Sequence, residues 1–122
     1  KKHYDIVKRN LQLSPFSNQV DLRNEELNEY SPRIECNSIV LDLPEPHKLV
    51  GWAKESLVSG GKMLCYIPTI NQVENLLSSL NGWGEIEISE IIHRTWQSNS
   101  EALRPNTNIL GHTGFILSAR LF

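Results

Sequence analysis

Two short apolar runs, each closed off by proline, constrain this chain more than any other feature. Ser38-Ile39-Val40-Leu41 ends at Asp42, with Pro44 and Pro46 just beyond. Lys62-Met63-Leu64-Cys65-Tyr66-Ile67 ends at Pro68. The first run, short and continuous, suits a strand buried on both faces, as in a parallel sheet, and the second reads as a further apolar strand. Between them, residues 48–58 carry Leu49, Trp52, Ala53 and Leu57 at helical spacing, and Gly60-Gly61 reads as the stop of that helix. Strand, helix, strand is the crossover that parallel pairing requires.

The flanking segments extend the same pattern. Thr69 to Leu80 reads as a helix with Val73, Leu76, Leu77 and Leu80 as its buried stripe, ended by Asn81-Gly82. Glu85-Ile86-Glu87-Ile88 alternates as a strand, with a continuation through Trp96. Thr113 to Leu121 forms a last strand, antiparallel to it. Upstream, residues 1–12 read as the end of an amphipathic helix with Tyr4, Val7 and Leu11 on one face, stopped by Ser14-Pro15. Gln19-Val20-Asp21-Leu22 reads as a short strand, and Glu25 to Tyr30 as a loop or helical turn. The fold class is α/β, the closing half of an open sheet that ends in an antiparallel pair. Because no strand precedes the first helix, residues 1–122 are expected to be part of a larger domain.

Composition narrows the function classes. At 39% hydrophobic and 21% charged, the 122 residues match a single folded domain and exclude disorder and collagen. No apolar run approaches the roughly 18 residues of a membrane span, and the N-terminus lacks the apolar core of a signal peptide. No membrane partner is therefore expected. The net charge of −2 does not suit a uniformly basic nucleic-acid binder. Charge is uneven, though: Lys1, Lys2, Lys8 and Arg9 outweigh Asp5, and after Glu90 the residues Arg94, Arg104 and Arg120 face only Glu101. Cys36 and Cys65 are too few for a disulfide scaffold or a Cys-only zinc site and point to a reducing cytoplasm. The histidines at 3, 47, 93 and 112 show no ligand spacing, so no metal is expected.

Ligands of open α/β sheets bind at the carboxyl ends of the strands. Asp42 stands at one such end, with the prolines holding its loop extended. It is either a functional carboxylate or a cap or turn residue. Tyr66 takes the matching place on the next strand, where its ring either stacks on a base or plugs the sheet edge. Gln72, in the first turn of the following helix, either donates to a ligand or is solvated. Gly111-His112-Thr113-Gly114-Phe115 lacks P-loop spacing. It is otherwise a tight turn into a strand with His112 as a surface donor. Arg94 can stack on Trp96, and Arg104 can brace the loop before Pro105.

Taken in order, Leu41-Asp42-Leu43-Pro44-Glu45-Pro46, Gly60-Gly61, Tyr66-Ile67-Pro68-Thr69 with Gln72-Val73, Arg94 with Trp96, Arg104-Pro105 and Gly111-His112-Thr113-Gly114-Phe115 resemble the tRNA (adenine-N1) methyltransferases across essentially the whole chain. The resemblance implies a Rossmann-like class I methyltransferase sheet and S-adenosylmethionine as cofactor. It also implies tRNA as partner, methylation at N1 of an adenosine in the T-loop, and a homo-oligomer. It makes Asp42 the catalytic residue and a cofactor neighbour, and gives Glu26 the cofactor adenine. Tyr66, Gln72, Arg94, Arg104 and His112 fall to the tRNA substrate. Three departures stand out. His47 replaces the family's usual Trp, and Glu26 is the nearest match to an acidic residue that is usually Asp. The glycine-rich cofactor loop and the ribose-binding acid would lie before Lys1. In the family's strand order, residues 19–22 do not pair with 38–42, and segment 1–30 is poorly anchored.

The implied chemistry agrees with the residues present. Adenine N1 lies on the Watson–Crick edge, so the base must leave its stack or pairing to react. N1 carries a free lone pair and needs no strong base, while a carboxylate near the exocyclic amine stabilises the charge that develops. No Ser/His/Asp or Cys/His arrangement is evident. The rival readings are a non-catalytic tRNA-binding or assembly subunit with the same fold, against which Asp42 counts, and a methyltransferase of small molecules, against which Arg94, Arg104 and His112 count.

Overall fold

A computed structural model describes residues 2–122, so the reading of Lys1 lies outside the described residues. Helix α1 (Lys2–Gln12) is followed by a 3-10 turn at Ser17–Gln19 and a long exposed segment. Then come strand β1 (Cys36–Leu41), a 3-10 turn at Pro46–Leu49, helix α2 (Val50–Ser56), strand β2 (Leu57–Ile67), helix α3 (Ile70–Ser79) and strands β3 (Trp83–Glu90) and β4 (Phe115–Leu121). The sheet order is β1-β2-β4-β3. β1 and β2 are parallel, and β4 runs antiparallel to both of its neighbours. An open sheet whose final antiparallel strands follow a parallel crossover is the architecture the element order implies.

One face of the sheet makes the core. Ile39, Leu41, Met63, Cys65, Ile67, Leu117, Ala119 and Leu121 are buried together with Trp52 and Ala53 of α2 and Val73 and Leu76 of α3. The expectation that residues 38–41 are buried on both faces is corrected: Val40, between buried Ile39 and Leu41, is 70% exposed. α2 and α3 cover one side of the sheet, and among the described residues α1 shows no comparable contact with it. Along α3 and its C-cap the buried stripe is Val73, Leu76 and Leu80, whereas Leu77 sits at its margin, 38% exposed.

Several boundaries differ from the sequence reading. Gly60-Gly61 does not stop α2, which ends at Ser56, but lies inside β2. Cys36 pairs with Leu57 and Ser38 with Lys62, so two steps along β1 match five along β2. Gly60 supplies the positive φ of that bulge, at 81°. A Cβ on Gly61 would stand 2.8 Å from the Val58 carbonyl oxygen. Glycines that suit a helix stop suit a bulge for the same reason.

Residues 19–22 form no strand, because no neighbouring strand offers them a ladder; they also do not pair with β1. β3 stops at Glu90 rather than Trp96, since its partner β4 begins at Phe115 opposite Glu90. Residues 91–112 instead leave the sheet as an arm. Its limbs are joined by Gln97 N to Arg104 O at 2.9 Å and Asn106 N to Thr95 O at 2.9 Å, around a Trp96–Pro105 bridge.

Arg120 ties the two irregular strands together across β4. Its Nε donates to Glu85 at 2.6 Å in the β3 bulge and its Nη1 to the Gly60 carbonyl at 2.7 Å in the β2 bulge. That guanidinium holds the Glu85 carboxyl below its ordinary pKa. Cys36 and Cys65 are free thiols, and burial pushes Cys65 up to about 12, so it behaves as a small hydrophobe. Among the described residues, no helix is long and apolar enough to cross a membrane.

Candidate active site

The register brings several strand ends to one edge of the sheet. Leu41 lies beside Cys65, Ile67 beside Phe115, and Phe115 beside Glu90. The carboxyl ends of β1, β2 and β3 and the start of β4 therefore meet there. Asp42 is the first residue past β1 and is exposed. No ion pair among the described residues engages it.

Two clefts open on either side of the loop that follows. A cleft of about 240 Å³ is lined by Asp42, Leu43, Pro44, Tyr66, Pro68 and Gln72. A larger one of about 480 Å³ shares Leu43 and Pro44 and is completed by residues that include Glu26, Leu27, Asn28 and Lys48. Leu43-Pro44 is thus a common wall, with Asp42 on one side and Glu26 on the other.

The side chains around Asp42 are held by one another. The Tyr66 hydroxyl donates to Thr113 O at 2.7 Å. Its ring lies across Gly114, where a Cβ would approach to 2.6 Å. The glycine is required by that contact. Gln72 accepts from Thr69 N at 3.2 Å and Thr69 Oγ1 at 2.6 Å, and its Nε2 donates to Pro44 O at 2.8 Å. The amide thereby caps α3 and braces the Asp42 loop at once.

His112 stands behind this group. Its Nε2 lies 2.8 Å from Pro68 O and its Nδ1 meets the Glu90 carboxylate. Both partners are acceptors, so both nitrogens donate when the ring is charged. The Pro68 carbonyl first, and then Glu90, raise the His112 pKa above its ordinary value. The ring also packs at 4.8 Å on Phe115.

Of the residues singled out from sequence, the structure brings Asp42, Tyr66 and Gln72 together and sets Glu26 across the shared wall. His112 is engaged at both nitrogens. Arg94 and Arg104 lie on the arm and line neither cleft. Arg104 Nε donates to Gln97 Oε1 across the arm at 3.2 Å, which is the bracing alternative. Sequence reasoning missed Glu90, whose partner is 22 residues away. It also missed Thr69, although Thr69-x-x-Gln72 is a capping-box signature. Among the described residues, no cluster of His, Cys, Asp or Glu could hold a metal ion.

Comparison with known proteins gives a consistent picture. A family model described as the tRNA methyltransferase complex GCD14 subunit matches residues 16–104. Tallied over 86 residues, the chain is 40% identical to the tRNA (adenine(57)-N(1)/adenine(58)-N(1))-methyltransferase TrmI of Methanocaldococcus jannaschii, covering 68% of this chain and 30% of the relative. It is 33% identical over 89 residues to the tRNA (adenine(58)-N(1))-methyltransferase catalytic subunit TRM61 of Candida albicans, covering 69% and 26%. Among solved structures, a SAM-dependent O-methyltransferase from Thermotoga maritima superposes with a TM-score of 0.87 at 25% identity, over 97% of this chain and 45% of that one. The tRNA (m1A58) methyltransferase TrmI of Aquifex aeolicus gives 0.76 at 28% identity, over 99% and 50%. The chain thus spans less than a third of these curated relatives and no more than half of these solved chains.

Proposed function

The chain belongs to the family described as the GCD14 subunit of the tRNA methyltransferase complex, and on that basis we propose that it serves in transfer of a methyl group from S-adenosylmethionine to N1 of an adenosine in the tRNA T-loop. The observation that carries the reading is the position of Asp42, exposed at a strand's carboxyl end on the lip of one cleft and one wall away from a second. Residues 1–122 then supply part of a cofactor-binding domain.

The donor set fits the adenosine part of the cofactor. Leu27, Leu43 and Leu49 offer apolar packing to an aromatic face, and Glu26 an acceptor for an exocyclic amine. When bound, the cofactor supplies an electrophilic methyl group on a sulfonium.

The target base would occupy the smaller cleft, its face on Tyr66, whose hydroxyl is already fixed by Thr113. Asp42 would accept from the exocyclic amine and so oppose the positive charge that the ring gains when the methyl group leaves sulfur for N1. Leu43 and Pro44, which line both clefts, would form the apolar edge where cofactor and base meet. Arg94 and Arg104 would contact tRNA phosphates along the arm, which leaves the sheet at the same end as Asp42. Glu26 binds cofactor in this reading, and Gln72 contributes to the substrate cleft by fixing its wall.

Two further assignments follow from the same reading. The arm leaves Ile91, Ile92, Trp96, Leu103 and Leu110 between 60% and 72% exposed, which supports a homo-oligomer that covers them. Free Cys36 and Cys65 support a reducing, cytoplasmic setting. The test is methyl incorporation by the product of the intact gene, with labelled S-adenosylmethionine and a tRNA transcript. Label should appear as N1-methyladenosine and vanish when the T-loop adenosines are replaced. Tight tRNA binding without incorporation would instead establish the non-catalytic subunit.

A further inference from the structure

A relay of bonds runs from the loop that follows Asp42 to residues far from it in sequence. The Leu43-Pro44 wall beside it is tied down where Gln72 Nε2 donates to Pro44 O at 2.8 Å. Gln72 is fixed in turn by the backbone N and hydroxyl of Thr69. Thr69 follows Pro68, whose carbonyl meets His112 Nε2 at 2.8 Å. His112 Nδ1 meets the carboxylate of Glu90, the last residue of β3. The relay joins the ends of β1, β2 and β3 and the approach to β4.

We propose that Glu90 and His112 are positioning residues, which set the stance of the Asp42 loop against Tyr66 through Pro68, Thr69, Gln72 and Pro44. The catalytic consequence rests on the methyl-transfer reading, whereas the linkage rests on the bonds alone. The imidazolium satisfies both acceptors; the neutral ring has one N–H for two. Losing the proton therefore releases one end of the clamp.

The surroundings of His112 leave Glu90 as the charge that controls it. From β3 it is faced by Glu90, from the end of β2 by the Pro68 carbonyl, and from β4 by the Phe115 ring. The Tyr66 phenol is occupied by Thr113 O, and the first turn of α3, Ile70-Asn71-Gln72, carries no charge. The pKa of His112 is raised in the folded protein, so the clamp is closed below that value and opens as pH rises through it.

Nuclear magnetic resonance on the product of the intact gene tests the linkage. The Gln72 side-chain amide and the Leu43 backbone amide should titrate with the same midpoint as the His112 ring. Glu90→Gln should move all three midpoints to lower pH together. Gln72→Leu should silence Leu43 while His112 still titrates. A Leu43 amide that ignores the His112 titration in the wild type would overturn the relay. Kinetics then test its consequence: Glu90→Gln and His112→Gln should lower kcat about tenfold, with KM for tRNA within about twofold. In Glu90→Gln the alkaline fall of kcat should begin at lower pH. A His112→Gln protein with raised KM for tRNA and intact kcat would make His112 a substrate contact and defeat the proposal. Wild-type protein that transfers no methyl group would defeat the function proposed above, and the resonance titration would then decide the relay by itself.

Discussion

Around Asp42 the polar groups link one strand end to another, while along residues 91–111 the hydrogen bonds among the described residues stay within the arm. Gln72, Tyr66 and His112 each reach from one strand end to another, across 28, 47 and 44 residues. The arm's bonds join its own limbs, Thr95 to Asn106 and Gln97 to Arg104, and its larger apolar side chains face outward. Both features rise from the same end of the sheet. A site that must hold a carboxylate at fixed distance from a reacting ring gains from preorganised support. A surface that meets a large, charged partner gains more from exposed side chains.

The sharpest test of that contrast is Asp42→Ala. Methyl transfer should fall about 10²- to 10³-fold, the usual scale for removing one electrostatic group from a reaction site. The free energy of unfolding should move by no more than about 0.5 kcal/mol, because the side chain is exposed. Parallel rate and urea-unfolding measurements check both. Equal losses in the two would make Asp42 a turn residue.

Gly111 and Gly114 set the same contrast three positions apart. A Cβ on Gly114 would enter the Tyr66 ring at 2.6 Å, and the ring cannot swing aside without losing Thr113 O. Gly114→Ala should therefore cost about 1–3 kcal/mol. Nothing lies within 4 Å of a Cβ on Gly111, at the root of the arm, and Gly111→Ala should stay within about 0.5 kcal/mol. Thermal or urea unfolding of the two variants side by side settles it, and equal costs would erase the distinction between braced and unbraced loops.

The arm's own tryptophan should be still quieter in folding. Trp96 is 60% exposed within its own chain, so at concentrations where the protein is monomeric Trp96→Ala should leave unfolding within about 0.5 kcal/mol of wild type. A loss of several kcal/mol that persists in the monomer would make the arm part of the core, whereas a loss that grows with protein concentration would place Trp96 in the oligomer contact.

What the sequence disclosed follows the range of the forces involved. The runs 38–41 and 62–67 were legible as strands because a short apolar run closed by proline is a local signal, although it did not disclose that Val40 faces solvent. The stripe Val73-Leu76-Leu80 was legible because burial there repeats with the helical period. Asp42 and Tyr66 were legible because a strand's end can be read from where its run stops. The stop of β3 at Glu90 was not, since it depends on where β4 begins, 25 positions later. Gly60-Gly61 was misread because one conformational freedom serves both a helix stop and a bulge, and only pairing with Cys36 and Ser38 distinguishes them. The clamp on His112 joins residues 22 and 44 positions apart, and no local pattern announces it.

The smallest expected effect bears on the arm as a tRNA surface. An arginine that neutralises a phosphate releases counterions, so its removal should flatten the plot of log affinity against log salt by about 0.7–0.9 per contact. No ion pair among the described residues engages Arg94, which leaves its charge available. Arg94→Gln should therefore show the full flattening, with cofactor affinity unchanged as the control. Arg104 already donates to Gln97 Oε1 at 3.2 Å through Nε, and its other guanidinium nitrogens stay free for phosphate. Arg104→Gln should flatten the slope by a similar amount and also loosen the arm, so its loss of affinity at any one salt concentration should be the larger. Unchanged slopes in both variants would reduce Arg104 to a brace between the limbs and remove the arm from the tRNA surface.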